Sequence, residues 1–364
     1  VQSAGMQLEG RWSMKCAWAL LVIVAVCGKT CSGFVPTILP TFSGVARMAV
    51  PSRCPLSPLL LSTSKRAVAG KGSIKIKMAE LAELEEVGGV ALTHHYVKVG
   101  NGVVLHVVEA GDGSGGAQEK SAKTICLLHG FPDFWLSWRR QLPGLTEAGY
   151  RVLCPDLRGY AKSSQPKAID RYSEVEVTAD VDALRKHFCG EDGMFELLVG
   201  HDWGAACAWG TMSWYPNLAK KLAILNVPHP TRFAEGLSTP EQLLKSWYIF
   251  AFQLPLLAEL GFAALDGQLI RRVFSSDPDE PLDTWELDRY VAAGSGGMSG
   301  GINWYRAAGA GLWPANMPSV PGGLIKMIQT AQGVKGMPKT STSSVRSQII
   351  EVPVMVLWGK RDPY

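Results

Sequence analysis

From residue 94 onward, short runs of β-branched and aliphatic residues alternate with longer stretches of mixed polarity. ValLysVal at 97–99 and ValValLeuHisValVal at 103–108, joined at Asn101-Gly102, predict a β-hairpin. Short, mostly apolar segments at 124–128, 151–154, 196–199 and 222–226 predict buried strands, and periodic segments near 136–148, 174–188 and 204–215 predict the helices between them. Buried strands alternating with helices imply a mostly parallel sheet in an α/β fold, whose chemistry collects in loops after the carboxyl ends of the strands. Between Pro230 and about Ile350 the strand signal disappears, and Gly-rich breaks at 294–301 and 309–311 interrupt aromatic and helical segments. That pattern predicts a helical cap inserted into the sheet, which resumes at ProValMetValLeuTrp, 353–358. The chain then divides into a leader at 1–79, a core at 80–229, a cap at 230–350 and a closing core strand with its loop at 351–364.

Three loops after predicted strands carry polar signatures. His129-Gly130-Phe131-Pro132 follows the first, Asp156-Leu157-Arg158-Gly159-Tyr160 the second, and Gly200-His201-Asp202-Trp203-Gly204 the third. The last has the shape of a nucleophile elbow, in which small flanking residues let a sharp strand-to-helix turn raise the central side chain. Serine usually stands at the centre, and here it is Asp202. A carboxylate is already ionised at pH 7, and it attacks an sp³ carbon to give an alkyl ester that water must then cleave. Epoxides and alkyl halides suit that chemistry; esters and amides do not. The competing reading of an isolated match is a plain helix N-cap.

The HisGlyPhePro turn, the AspLeuArgGlyTyr segment, GlyHisAspTrpGlyAla and Asn226-Val227-Pro228-His229-Pro230 come in one order and spacing. Together they resemble an α/β-hydrolase of the epoxide hydrolase group over about residues 92–364. The resemblance implies an α/β-hydrolase fold, with a mostly parallel sheet and an inserted helical cap. It also implies Asp202 as nucleophile and the backbone N–H groups of Phe131 and Trp203 as oxyanion hole, with His129, Gly130 and Pro132 beside the substrate. Two cap segments, Ser246–Gln253 and Ile302–Arg306, resemble the family's tyrosine segments. They nominate Tyr248 and Tyr305 to protonate the opening epoxide, against the commoner role of a Tyr that packs with its hydroxyl wet. Trp209, Trp214, Trp285 and Trp313 are expected to pack. Ala161 stands where the family often has Gly or Asn, with little effect expected.

In the family, the position of Asp362 carries the acid that orients a catalytic His. All seven His (94, 95, 106, 129, 187, 201 and 229) precede it, and the sequence ends at Tyr364. The expectation is therefore a C-terminally truncated record, lacking the last strand and helix and the His that activates water. A haloalkane dehalogenase using the same Asp is the enzymatic alternative, although paired cap tyrosines have no part in halide release. A non-catalytic binding protein that keeps the pocket is the alternative from another class. The expected partners are a small epoxide and water, with no metal or organic cofactor required. Oligomeric state is not legible.

Charge changes one part of this picture. The net +4 hides a leader in which residues 11–79 hold ten Lys/Arg and no acid, whereas residues 80–364 hold 26 basic and 31 acidic residues. The body offers no basic surface of the kind nucleic acid requires. Residues 16–27 form an apolar run of twelve behind Met14-Lys15, too short for a comfortable membrane span and suited to a secretory signal peptide. A buried core helix is the alternative. The Ser/Thr/Pro-rich, acid-free tract at 34–78 resembles an organellar transit peptide, which points to the secretory pathway or a plastid, or else to a linker on a secreted protein. Of eight Cys, four lie in the leader, and Cys126, Cys154, Cys189 and Cys207 lie in or beside apolar segments without paired spacing, as expected of buried thiols.

Overall fold

The computed structural model describes residues 82–111, 123–237, 239–254, 256–263, 268–274, 282–294, 298–310 and 349–359. The leader, Trp313, the 311–348 part of the expected cap and the loop with Asp362 lie outside the described residues.

Eight strands form one sheet in the order β1-β2-β3-β5-β4-β6-β7-β8. They are β1 (Glu86–Val87), β2 (Val90–Lys98), β3 (Val104–Ala110), β4 (Thr124–Leu128), β5 (Arg151–Pro155), β6 (Leu197–His201), β7 (Leu222–Leu225) and β8 (Val354–Leu357). Strands β1, β2, β3 and β5 pair antiparallel, and β5, β4, β6, β7 and β8 pair parallel. Every residue of β4 and of β7 is buried, as expected of central strands covered on both faces. The described core helices are α1 (Leu142–Glu147), α2 (Glu174–Cys189) and α3 (Trp203–Trp214).

Two elements differ from the pattern. The hairpin forms, but β2 begins at Val90 rather than near 97, because Thr93, His94 and His95 break the apolar signal in a strand that nevertheless pairs residue for residue with β3. The helix expected near 136–148 splits into a 3₁₀ turn at Trp135–Trp138 and the short α1. Pro143 sits in the first turn of α1, where its missing N–H is harmless; deeper in a longer helix it would break the ladder. Cys126, Cys154 and Cys207 are buried free thiols and Cys189 is half-buried. Trp209 is buried, whereas Trp285 is exposed.

The cap follows β7 as α4 (Pro230–Leu237), α5 (Pro240–Lys245), α6 (Trp247–Ala251), α7 (Leu257–Ala263), α8 (Gln268–Phe274), α9 (Thr284–Gly294) and α10 (Ser299–Gly309). Helix α10 is seated on the core. Its Gly300 lies against Gly159 so closely that a Cβ on Gly300 would stand 2.2 Å from the Gly159 carbonyl oxygen. The buried Trp304 indole donates to the Arg158 carbonyl at 3.0 Å. The Arg158 guanidinium, also buried, is clamped by Asp180 at 2.6 Å and Glu176 at 3.0 Å on α2. Arg306 on α10 binds Glu259 of α7 and the Phe252 and Leu254 carbonyls, so one helix organises several short ones.

Ala161 costs more than its sequence position implies. It holds φ 41, in the left-handed region where a Cβ is penalised by roughly 1–2 kcal/mol. Ala161→Gly is expected to raise unfolding stability by about 1 kcal/mol, read as an upward shift of the urea midpoint with an unchanged slope.

Candidate active site

Strand β6 delivers Gly200 and His201 to the carboxyl edge of the sheet, and α3 starts at Trp203. Between them Asp202 holds φ 50 and ψ −122, a strained conformation for a non-glycine residue. The turn is sharp enough to demand small neighbours. A Cβ on Gly204 would stand 2.3 Å from the Leu128 carbonyl oxygen, and one on Gly200 would stand 2.4 Å from that of Gly204. Asp202 occupies the N-cap position, yet its side chain makes no capping bond to α3. Its Oδ1 instead accepts the Phe131 N–H at 2.7 Å, across to the loop after β4. The local geometry is that of an elbow, and the side chain is aimed away from the helix it opens.

The loop after β4 is held from behind. His129, fully buried, donates from Nδ1 to the Gly130 carbonyl at 2.8 Å and accepts the Leu157 N–H on Nε2 at 2.9 Å. Burial lowers its pKa to about 4, so the ring is neutral, as that pair of bonds requires. His129 therefore shapes the loop, with both ring nitrogens bonded to backbone. Gly130 faces Asp202 directly, where a Cβ would meet the Asp202 Cβ at 2.5 Å. Pro132 follows Phe131 through a cis peptide.

An aromatic wall from the cap closes over the carboxylate. The Tyr305 ring stands 4.9 Å from Trp203, 5.1 Å from Phe131, 4.9 Å from Phe252 and 6.0 Å from Tyr248, centroid to centroid. Burial pushes the Tyr305 phenol well above the usual range; the Asp202 charge and Tyr248 add to the shift, and hydrogen bonding with the Trp203 side chain opposes it. Tyr305 thus stays a protonated O–H donor at physiological pH. Tyr248, on α6, is half-buried with its ring 5.9 Å from Phe252. The structure brings Asp202, Phe131, Trp203, Gly130, Tyr248 and Tyr305 together; Asp362 lies outside the described residues.

The family described as alpha/beta hydrolase fold matches residues 123–364. "Epoxide hydrolase A" of Mycobacterium tuberculosis is 36% identical over 245 residues, covering 57% of this chain and 71% of that protein. "Epoxide hydrolase 4" of Mus musculus is 36% identical over 228 residues, covering 59% of each chain. A crystal structure of Epoxide Hydrolase A from Mycobacterium thermoresistibile superposes with a TM-score of 0.51 at 28% identity, covering 74% of this chain and 92% of that one. This chain belongs to the epoxide hydrolase group of the α/β-hydrolases. The match thus spans between three-fifths and three-quarters of the curated relatives named here.

Two further residues of this epoxide hydrolase-group site escaped the sequence reading. The Tyr160 hydroxyl is buried without a hydrogen-bond partner, its ring edge-on to His129 at 4.8 Å, and the Asp202 charge adds to the burial that raises its pKa. A buried hydroxyl left unpaired in the bare protein is suited to a water or a polar ligand atom. Asp133, one residue past the HisGlyPhePro turn, is raised to about 6 by burial, against the Phe134 N–H, His201, Tyr290 and Arg139, which all lower it. Tyr160 closes the AspLeuArgGlyTyr motif and Asp133 follows HisGlyPhePro, but a Tyr or Asp there carries no chemical signature until its burial is known.

The Asp133 shift has a defined sign. A carboxyl whose folded pKa is raised favours the protonated state in the fold, so its contribution to stability is lost as pH rises from about 4 through about 6. Asp133→Asn carries no such penalty. Relative to wild type, it is expected to gain on the order of 2 kcal/mol between pH 4 and pH 7, measured as the difference in urea midpoints at the two pH values.

Proposed function

We propose that this protein opens epoxides through a covalent ester on Asp202. The observation that carries the reading is the buried, protonated Tyr305 phenol packed between Trp203 and Phe131, within electrostatic reach of the Asp202 carboxylate. The names of the epoxide hydrolases similar to this chain support the same chemistry. An Asp202 oxygen attacks one epoxide carbon from the side opposite the ring oxygen; a C–O bond forms and the ring C–O bond breaks. The departing alkoxide takes a proton from Tyr305 or Tyr248, giving a hydroxyalkyl ester. In the second half, water adds to the ester carbonyl, and the charge that develops on its oxygen is met by the Phe131 and Trp203 N–H groups. Water activation belongs, in the family pattern, to a His that the acid at the position of Asp362 orients. The acid-free stretch at 11–79 supports routing through the secretory pathway or to a plastid; among the described residues, no helix is long and apolar enough to cross a membrane.

The test is a covalent one. Acid quenching within a single turnover of a small terminal epoxide is expected to trap the epoxide's mass on the peptide that contains Asp202, and Asp202→Asn is expected to abolish the addition. Neither adduct nor diol from the wild-type chain would leave a binding protein as the better reading. Bromide release from a bromoalkane without reaction of the epoxide would establish the haloalkane dehalogenase instead.

The cap phenols make a second prediction. Tyr248→Phe and Tyr305→Phe are each expected to slow single-turnover esterification, and the double variant is expected to lose roughly 10²–10⁴-fold, the usual scale of general acid catalysis. Quenched-flow mass spectrometry of the Asp202 peptide gives those rates directly.

A further inference from the structure

A second cluster of ionisable side chains lies on the antiparallel end of the sheet, built from β2, β3 and the segment before β1. Strands β2 and β3 pair with Tyr96 opposite His106, which places His94, two residues from Tyr96, on the same face as His106. The two imidazoles stack at 5.1 Å, with His94 Nδ1 2.8 Å from His106 Nε2. Each ring uses its other nitrogen on an acceptor. His94 Nε2 donates to the Leu84 carbonyl at 2.9 Å, and His106 Nδ1 donates to Asp156 Oδ2 at 2.7 Å. Asp156 also accepts the Trp135 N–H on Oδ1 at 3.0 Å and the Lys162 N–H on Oδ2 at 3.3 Å, the pattern of an ionised carboxylate.

The consequence follows from counting protons. With both N–H groups committed outward, neutral His94 and His106 present two lone pairs to each other at hydrogen-bond distance. That contact is repulsive unless something positive lies between them. Glu83 supplies a third donor. Tyr96 and Lys162 both bind its Oε1, at 2.7 and 3.0 Å, while Oε2 faces His94 Nδ1 at 3.9 Å. One ligand atom from each of Glu83, His94 and His106 lies within 4.8 Å of the others.

We propose that Glu83, His94 and His106 bind a divalent transition metal of the zinc class. Two imidazoles and one carboxylate suit zinc and its neighbours rather than calcium or magnesium. The outward bonds to Asp156 and Leu84 are the carboxylate and carbonyl partners that fix tautomer and ring orientation in histidine metal sites. Zinc–nitrogen bonds near 2.0–2.1 Å at a tetrahedral angle require the two nitrogens to open to about 3.3 Å, a small adjustment of two side chains. Zinc takes Oε2 of Glu83 and leaves Tyr96 and Lys162 on Oε1. The site is independent of the epoxide reading: it lies behind the loop that carries Phe131, joined to it through Asp156 and Trp135. Its histidines are twelve residues apart without a motif, so strand register creates it.

The experiment is zinc binding to the full chain, with a chromophoric chelator as competitor. Wild type is expected to take one zinc that Glu83→Gln, a surface change that spares the fold, weakens at least tenfold, and that His94→Gln abolishes. Cobalt is expected to give a ligand-field spectrum of nitrogen and oxygen donors. No zinc taken from the competitor by the wild-type chain overturns the proposal and leaves a shared proton between the imidazoles. Equal binding by wild type and both variants, or the charge-transfer absorption of thiolate ligands, overturns it in favour of cysteine binding.

Discussion

Two stretches of backbone must meet edge to edge for this molecule to have a site at all. The loop after β4 and the turn after β6 approach so closely that Gly130, Gly200 and Gly204 have no room for a Cβ, each being blocked by backbone or by Asp202 itself. That approach places the Phe131 N–H on the Asp202 carboxylate. It depends on strands β4 and β6 pairing in parallel, with Leu128 opposite Gly200, so that both loops leave the sheet at the same edge. The strain at Asp202 is sustained by the same contacts, since the surrounding backbone over-determines the turn. A side chain at any of the three glycines would separate the carboxylate from its donor before it disturbed the sheet.

The cap depends on a second close approach of the same kind. Gly159 and Gly300 touch backbone to backbone, and Trp304 reaches the Arg158 carbonyl, so α10 is positioned by the loop after β5 rather than by its own neighbours. The Arg158 guanidinium gains Asp180 and Glu176 on α2, which ties the same loop to the core beneath. Tyr305 inherits its position from this seam. Its environment is then dry and aromatic, where a phenol holds its proton and a carboxylate attracts it strongly.

Much of this was legible in the residues. The strands at 124–128, 151–154 and 222–226 and the helices at 174–188 and 204–215 fall within a residue or two of where they stand, because buried parallel strands read as short, mostly apolar segments. What sequence misread shares a cause. His94, His95 and Thr93 hid most of β2, the bracing role of His129 was not visible, Asp133 passed unremarked, and Tyr160 was read only as part of a motif. In each case the chemistry of a polar side chain depends on what buries it and on which partners its two or three polar atoms find. Sequence spacing reports neither. Ala161 is the converse, a residue whose side chain is bland and whose backbone angle carries the cost.

The buried polar residues also form one connected arrangement rather than separate exceptions. Asp156 binds His106 and the Trp135 N–H; Leu157, its neighbour, binds His129; and His129 holds Gly130, whose other side is Asp202. The nucleophile role proposed for Asp202 makes such bracing necessary. Serine is activated by its base at the moment of reaction, whereas a carboxylate is charged beforehand, and a half-buried charge beside aromatic rings is stable only if fixed dipoles already face it. The Phe131 N–H can face Asp202 permanently only if its loop cannot relax. His129, neutral and bonded at both nitrogens, prevents that relaxation, so the rigidity of the loop is the condition on which an ionised Asp202 can sit beneath the cap.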